Sequence, residues 1–206
     1  MIHTVAGAYT DYAGTYVLLA AIVYALQLYA DFSGGIDISR GVAQMFGITM
    51  GENFRRPYFS RTLTEYWHRW HISLGDWLRN YLFYPLSISK AFLNWGRHAR
   101  QHLGSHIGKV LPTAVASLIT FLIIGIWHGA SWNFVLWGVM LLGFILLEKF
   151  CIGDFLKEHK VLSHVYLLFV IPQTWVIFRI TRVKDVGAYF SRLFPLFGTH
   201  SAVSAP

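Results

Sequence analysis

The chain of 206 residues has a single cysteine, Cys151, and only 13% of its residues are charged. One cysteine excludes an internal disulfide. The shortage of charge, set against the roughly 25% usual in soluble domains, excludes an ordinary water-soluble globule. Acidic residues are the scarcest: ten Asp and Glu stand against seventeen Lys and Arg. There are no repeats and no low-complexity tracts. What is plentiful is apolar side chain, 55% of residues with 17% aromatic, for a mean hydropathy of +0.46.

The charges are missing in blocks. Residues 12–30, 110–147 and 161–178 contain no Asp, Glu, Lys or Arg. One bilayer crossing takes about 20 predominantly apolar residues. The longest block therefore predicts two crossings, separated at HGASWN (128–133), where Gly and Asn favour a turn. Four spans result, at 12–31, 110–128, 132–150 and 161–179. The expected fold is all-α and polytopic, a single membrane-embedded domain over 1–206 with interfacial or re-entrant helices. No basic stretch precedes the first uncharged block and no small-residue cleavage site follows it, so a span is expected there and not a cleaved leader.

A net charge of +7 would suit a nucleic acid, but its layout argues otherwise. Ten basic residues fall within 34–110 beside four acidic ones. A basic layer between spans is the positive-inside pattern. It places the interfacial region 34–109 at the cytoplasmic face and makes the lipid bilayer the partner. Parity then puts the basic tail FRITRVKDVGAYFSRLF, a candidate amphipathic helix, outside, against the same rule.

Between the first two spans, Gly34-Gly35 predicts a break, and the following GIDISRGVAQMFGITMG is too short to cross. Thr62 and Thr64 are candidate N-caps for one helix running to Tyr84, where Pro85 stops it. On that helix Trp67, Trp70, His71, Leu74, Leu78 and Tyr81 share a face by i+3, i+4 spacing, with Glu65, Arg69, Asp76 and Asn80 opposite. Residues 89–110 read as a basic, histidine-rich loop, and Asp154–Lys160 as a charged one.

Several residues carry chemistry. His128 ends an apolar span between Trp127 and Gly129, where a titratable group is costly and usually functional; the alternative is a structural hydrogen bond to a neighbouring helix. A neutral imidazole there can take a proton from a hydroxyl, which is general-base chemistry. His71, also flanked by tryptophan, divides evenly between a functional and an interfacial role. Arg55 and Arg56 serve either as headgroup anchors or as partners for an anionic donor. The i+4 series His98, His102 and His106 has zinc-like spacing, but no Cys or carboxylate completes it, so no metal site is expected.

The order LQLYADFSGGIDISRGVAQMFGI, NFRRPYFSRTLTEYWHRWHISLGDWLRNYLFYPL and IGIWHGASWNFVLWG resembles the membrane-bound O-acyltransferase (MBOAT) family. It looks closest to the bacterial branch of alginate O-acetyltransferases and of the D-alanyl transfer protein of teichoic acid modification. The resemblance implies a multi-pass enzyme of the bacterial plasma membrane that moves an acyl group from a cytoplasmic thioester donor to a hydroxyl across the bilayer. The family's WHG histidine maps to His128 and its RWHISL histidine to His71. Trp67, Trp70, Arg55, Arg56, Trp127 and Asn133 would line the substrate path or bind the donor.

No tightly bound cofactor is implied. Acetyl-CoA or an acyl carrier protein would be the co-substrate, and a polysaccharide or teichoic acid the acceptor, with a second envelope acetyltransferase as a possible partner. Asn80 stands where the branch carries Asp, which removes a charge. The chain matches the catalytic middle of a longer protein, so weak activity of the 206 residues alone is expected. A non-catalytic membrane remnant is the competing reading.

Overall fold

The computed structural model describes residues 14–194, apart from the side chains of residues 103, 106, 107 and 109. Among the described residues the chain is helical, with four helices long and apolar enough to cross a membrane. The first, α1 (Thr15–Met45), has 31 residues, which at 1.5 Å per residue is roughly 46 Å and exceeds the hydrocarbon core of about 30 Å. It does not break at Gly34-Gly35. Glycine costs a helix only about 1 kcal/mol relative to alanine, and this helix outlasts that penalty. It ends instead at Gly47, whose φ is +75°. There Gly47 N–H donates to the Gln44 carbonyl and Ile48 N–H to that of Ala43, both at 3.0 Å. A left-handed glycine with these two bonds satisfies the last carbonyls of the helix.

The helix expected over 63–84 is two helices, α2 (Leu63–Arg69) and α3 (Ile72–Leu78). Thr62 caps α2: its hydroxyl accepts the Glu65 N–H at 3.1 Å, while the Glu65 carboxylate accepts the Arg61 N–H at 2.8 Å. The T-x-x-E spacing is that of a capping box. The break between α2 and α3 comes from residues 53–55. Arg55 N–H donates to the Arg69 carbonyl at 2.9 Å, and Ile72 N–H donates to the Asn53 carbonyl at 3.0 Å. Trp70 becomes extended and His71 left-handed, with φ +47°. The apolar face inferred for one straight helix is carried by two helices instead: Trp67, Trp70, His71, Leu74 and Leu78 still line one cavity, whereas Tyr81 is exposed.

Pro85 does not terminate the segment either. A π-helical turn (Arg79–Phe83) leads into α4 (Tyr84–Ser87), where Pro85 occupies the first turn and needs no N–H partner. Residues 89–110 are helical as well, belonging to α5 (Lys90–His128). Gly104 interrupts α5 with φ +84°, ψ 166°. The arm before it folds back on the arm after it, so that Gly96 faces Pro112 and Gly108 abuts the Arg100 backbone.

After the turn at 129–131, α6 (Trp132–Leu147) passes through a π-helical turn (Glu148–Ile152) into α7 (Gly153–Glu158). The third crossing thus continues past 150, and the charged stretch at 154–160 is helix on both sides of His159. α8 (Lys160–Arg179) is the fourth crossing, and α9 (Val183–Leu193) is the amphipathic helix expected in the tail. It buries Tyr189 and Leu193 against Val17 of α1. The first two residues expected in span one, 12 and 13, lie outside the described residues.

The core lies where α1, α6 and α8 meet the α2–α3 region. Trp70 and Trp175 have ring centroids 5.0 Å apart, Trp137 and Phe178 5.4 Å, and the Trp175 indole donates to the Tyr66 hydroxyl at 3.1 Å. Aromatic pairs of this kind each add about 0.5–1.5 kcal/mol beyond their burial. The interfacial segment is therefore packed into the bundle.

Candidate active site

His71, at the break between α2 and α3, and His128, at the end of α5, both line one cavity of about 670 Å³. α5 and α6 deliver His128. They cross closely because Gly125 faces the Phe134 carbonyl and Gly138 faces the Phe121 carbonyl; a Cβ at either would stand 2.6 or 2.7 Å from that oxygen. The His128 ring sits edge-on to Phe178 at 5.0 Å and to Trp137 at 5.5 Å. Its immediate neighbours are therefore aromatic.

His71 is delivered by the break between α2 and α3. Its ring meets Phe32 of α1 edge-on at 5.0 Å, and its Nδ1 lies 3.2 Å from the Asn53 side-chain oxygen. Burial holds its pKa below the ordinary histidine value, so the imidazole is neutral at pH 7. His68 is also held low, by burial and by the Arg79 guanidinium, which donates to its Nδ1 at 2.8 Å.

The cavity wall includes Trp67, Trp70 and Trp127 as well as both histidines. Trp127 is 65% exposed all the same. Arg55 and Arg56 stand apart, on an open hollow with Arg69. Thr64 and His68 border both spaces, so the basic hollow adjoins the cavity. Arg55 pairs with Glu52 at 3.0 Å, which leaves Arg56 as the less engaged cation. Asn133 lines neither space. It is buried, and its amide donates to the Phe178 carbonyl at 2.9 Å, so it secures the start of α6 to the end of α8. Among the described residues no three His, Cys, Asp or Glu side chains gather as a metal site would need.

Sequence reasoning passed over Asn53, Arg79, Thr120 and Trp175. Thr120 and Trp175 sit inside apolar spans with no local mark. Arg79 is separated from His68 by eleven residues and a helix break. Asn53 lies in an extended stretch whose role depends on a pairing with residues 70–73.

Residues 10–101 match the profile of MBOAT, the membrane-bound O-acyltransferase family. Over 177 residues, 85% of this chain, the sequence is 34% identical to the probable alginate O-acetylase AlgI of Azotobacter vinelandii. It is 34% identical over 59% of the chain to the peptidoglycan O-acetyltransferase of Helicobacter pylori, and 31% identical over 57% to the teichoic acid D-alanyltransferase of Streptococcus thermophilus. These matches cover 32%, 20% and 26% of the respective relatives, so the chain spans at most about a third of their length. A four-span helical fold, a cavity joining two tryptophan-flanked histidines, and these similarities agree: the chain belongs to the membrane-bound O-acyltransferase family.

Proposed function

We propose that this chain forms the reaction cavity of a membrane O-acyltransferase. The enzyme moves an acyl group, acetyl in the first instance, from a thioester to a hydroxyl of a cell-envelope or exported polysaccharide. The observation that carries the reading is the convergence of His71 and His128 on one aromatic-walled cavity. The names of the relatives, which acetylate alginate or peptidoglycan or transfer D-alanine to teichoic acid, support the acceptor class. Acetyl has precedence over D-alanyl because the alginate relatives match over more of the chain.

In this reading His128 accepts the hydroxyl proton as the oxygen attacks the thioester carbonyl carbon. The carbonyl π electrons move to oxygen, and their return expels the thiolate. The proton held by His128 passes to that sulfur, giving an ester and a free thiol with no change in oxidation state. The donor is acetyl-CoA or an acyl carrier protein thioester arriving from the cytoplasmic face. The hollow of Arg55 and Arg56 beside the cavity suits its phosphates.

The test is transfer of radiolabelled acetyl from acetyl-CoA, or from an acyl carrier protein, to a polysaccharide acceptor. Proteoliposomes would hold the 206-residue chain or, in parallel, a full-length relative with matching substitutions. Acceptor labelling that disappears with His128→Gln supports the reading. Labelling unaffected by the substitution, or none by the full-length protein with any thioester, overturns it.

A further inference from the structure

Asn53 is 7% exposed, and all its hydrogen bonds converge on residues 71–73. Its backbone carbonyl accepts the Ile72 N–H at 3.0 Å. Its side-chain oxygen lies 3.0 Å from the Ser73 N–H, 2.7 Å from the Ser73 hydroxyl and 3.2 Å from His71 Nδ1. Ile72 and Ser73 begin α3, so their N–H groups have no partner within the helix. His71, at the cap position, makes no side-chain cap. Asn53 therefore caps α3 from a distant part of the chain.

The cap settles a proton. A backbone N–H can only donate, so the Asn53 atom facing Ser73 is the amide oxygen. That oxygen can only accept, so His71 Nδ1 must carry hydrogen. A neutral imidazole has one N–H, and Nε2 is left with its lone pair. Among the described residues Nε2 has no hydrogen-bond partner.

We infer that Asn53 is a positioning residue that fixes His71 in the tautomer whose Nε2 is an acceptor. The catalytic meaning of this rests on the acyltransferase reading above. With Nδ1 committed to Asn53, His71 offers the cavity a nitrogen that receives a proton donor, the acceptor hydroxyl or the departing thiol. It offers no N–H to the acyl carbonyl. Phe32 and Phe54, packed on the ring from α1 and the 53–55 segment, carry no charge. The other titratable or charged groups lining the cavity are His68, Arg79, Tyr84 and His128.

Two measurements test the inference. The first is nitrogen NMR of the histidine-labelled chain in detergent micelles, with the His71 signals identified by their loss in His71→Asn. At neutral pH, Nδ1 is expected to be protonated and Nε2 bare; a protonated Nε2 with bare Nδ1 overturns the inference. This readout needs no activity, so it stands even if the chain transfers no acyl group and the functional reading fails.

The second is the pH–rate profile of Asn53→Asp, which preserves all three acceptor contacts but places a carboxylate beside the ring. An adjacent carboxylate favours the imidazolium. The acid limb is expected to move up by about one unit, with a loss of no more than about threefold at pH 7 that deepens to about tenfold well below the limb and is regained in alkaline buffer. Asn53→Ala would lower stability through the lost cap without producing that alkaline recovery. An active Asn53→Asp protein whose profile superposes on the wild type overturns the inference. If the variant does not fold, the NMR measurement on the unaltered chain decides.

Discussion

The carboxylate of Glu148, buried at the end of α6, accepts the backbone N–H of Leu63 at 2.7 Å, across 85 residues of sequence. One bond thus ties the third membrane crossing to the first turn of α2, the helix that carries Trp67. A carboxylate at a helix N-terminus also meets the positive end of the helix dipole.

Glu148→Ala leaves the Leu63 N–H buried and unpaired, which costs about 1–3 kcal/mol. The expected result is a lower thermal midpoint in detergent, followed by tryptophan fluorescence, with Glu148→Gln retaining most of the stability. Equal midpoints for Ala and wild type would show that α2 is held by its aromatic packing alone.

His128→Gln is expected to remove acyl transfer while leaving membrane insertion and expression intact. Loss of a general base typically costs 10²–10⁴-fold in rate. Turnover within about threefold of wild type, at equal protein level, would displace His128 from the base role.

Gly138→Ala puts a methyl 2.7 Å from the Phe121 carbonyl, inside contact distance of rigid backbone. Overpacking of this sort costs about 1–3 kcal/mol. Because the same helix pair positions His128, activity should fall along with the thermal midpoint. A midpoint unchanged from wild type would mean that α5 and α6 separate freely.

Burial holds His71 below the ordinary histidine pKa, and burial with Arg79 does the same for His68. The unfolded chain takes up these protons near pH 6.5, the folded chain only at lower pH. Stability is therefore intact above about 6.5 and declines as pH falls below it. Thermal midpoints measured from pH 8 to pH 5 should stay level and then drop, with a shallower drop in His71→Asn. A midpoint that rises on acidification contradicts the assignment.

The basic layer within 34–110 is expected to face the cytoplasm. Cysteines placed at Arg97 and Ser131, in a chain whose Cys151 has been replaced, report this through an impermeant thiol reagent. Position 131 should label in intact cells and position 97 only after lysis. Labelling of 97 in intact cells inverts the topology.

The four crossings were legible because charge is expelled from bilayer-spanning sequence, a signal that needs no tertiary information. His71 and His128 stood out for a related reason: each is a titratable group set among tryptophans. The internal order of 34–110 was not legible. Gly34-Gly35 has the composition of a break, yet helix termination is decided by which glycine adopts a left-handed conformation, and that is Gly47. Helical spacing carried Trp70 and His71 along a straight α2, whereas residues 53–55 take over the hydrogen bonds at 69–72. That pairing joins segments with no shared periodicity, so only the folded chain displays it. Arg55, Arg56 and Asn133 were expected on the substrate path or at the donor; the structure sets the arginines on a hollow adjoining the cavity and Asn133 in the helix packing.

The left-handed backbone at His71 restricts what evolution can place there. Gly, Asn, Asp and His accept that conformation most readily, and a β-branched side chain would be a steric outlier. Of these four, histidine alone is neutral and basic near pH 7. The backbone thus screens candidates by shape before chemistry selects among them, and Asn and Gly are the uncharged exits that keep the fold. A descendant that has lost this chemistry but still builds the same helical break is expected to carry one of those two at position 71, and not a random assortment of residues.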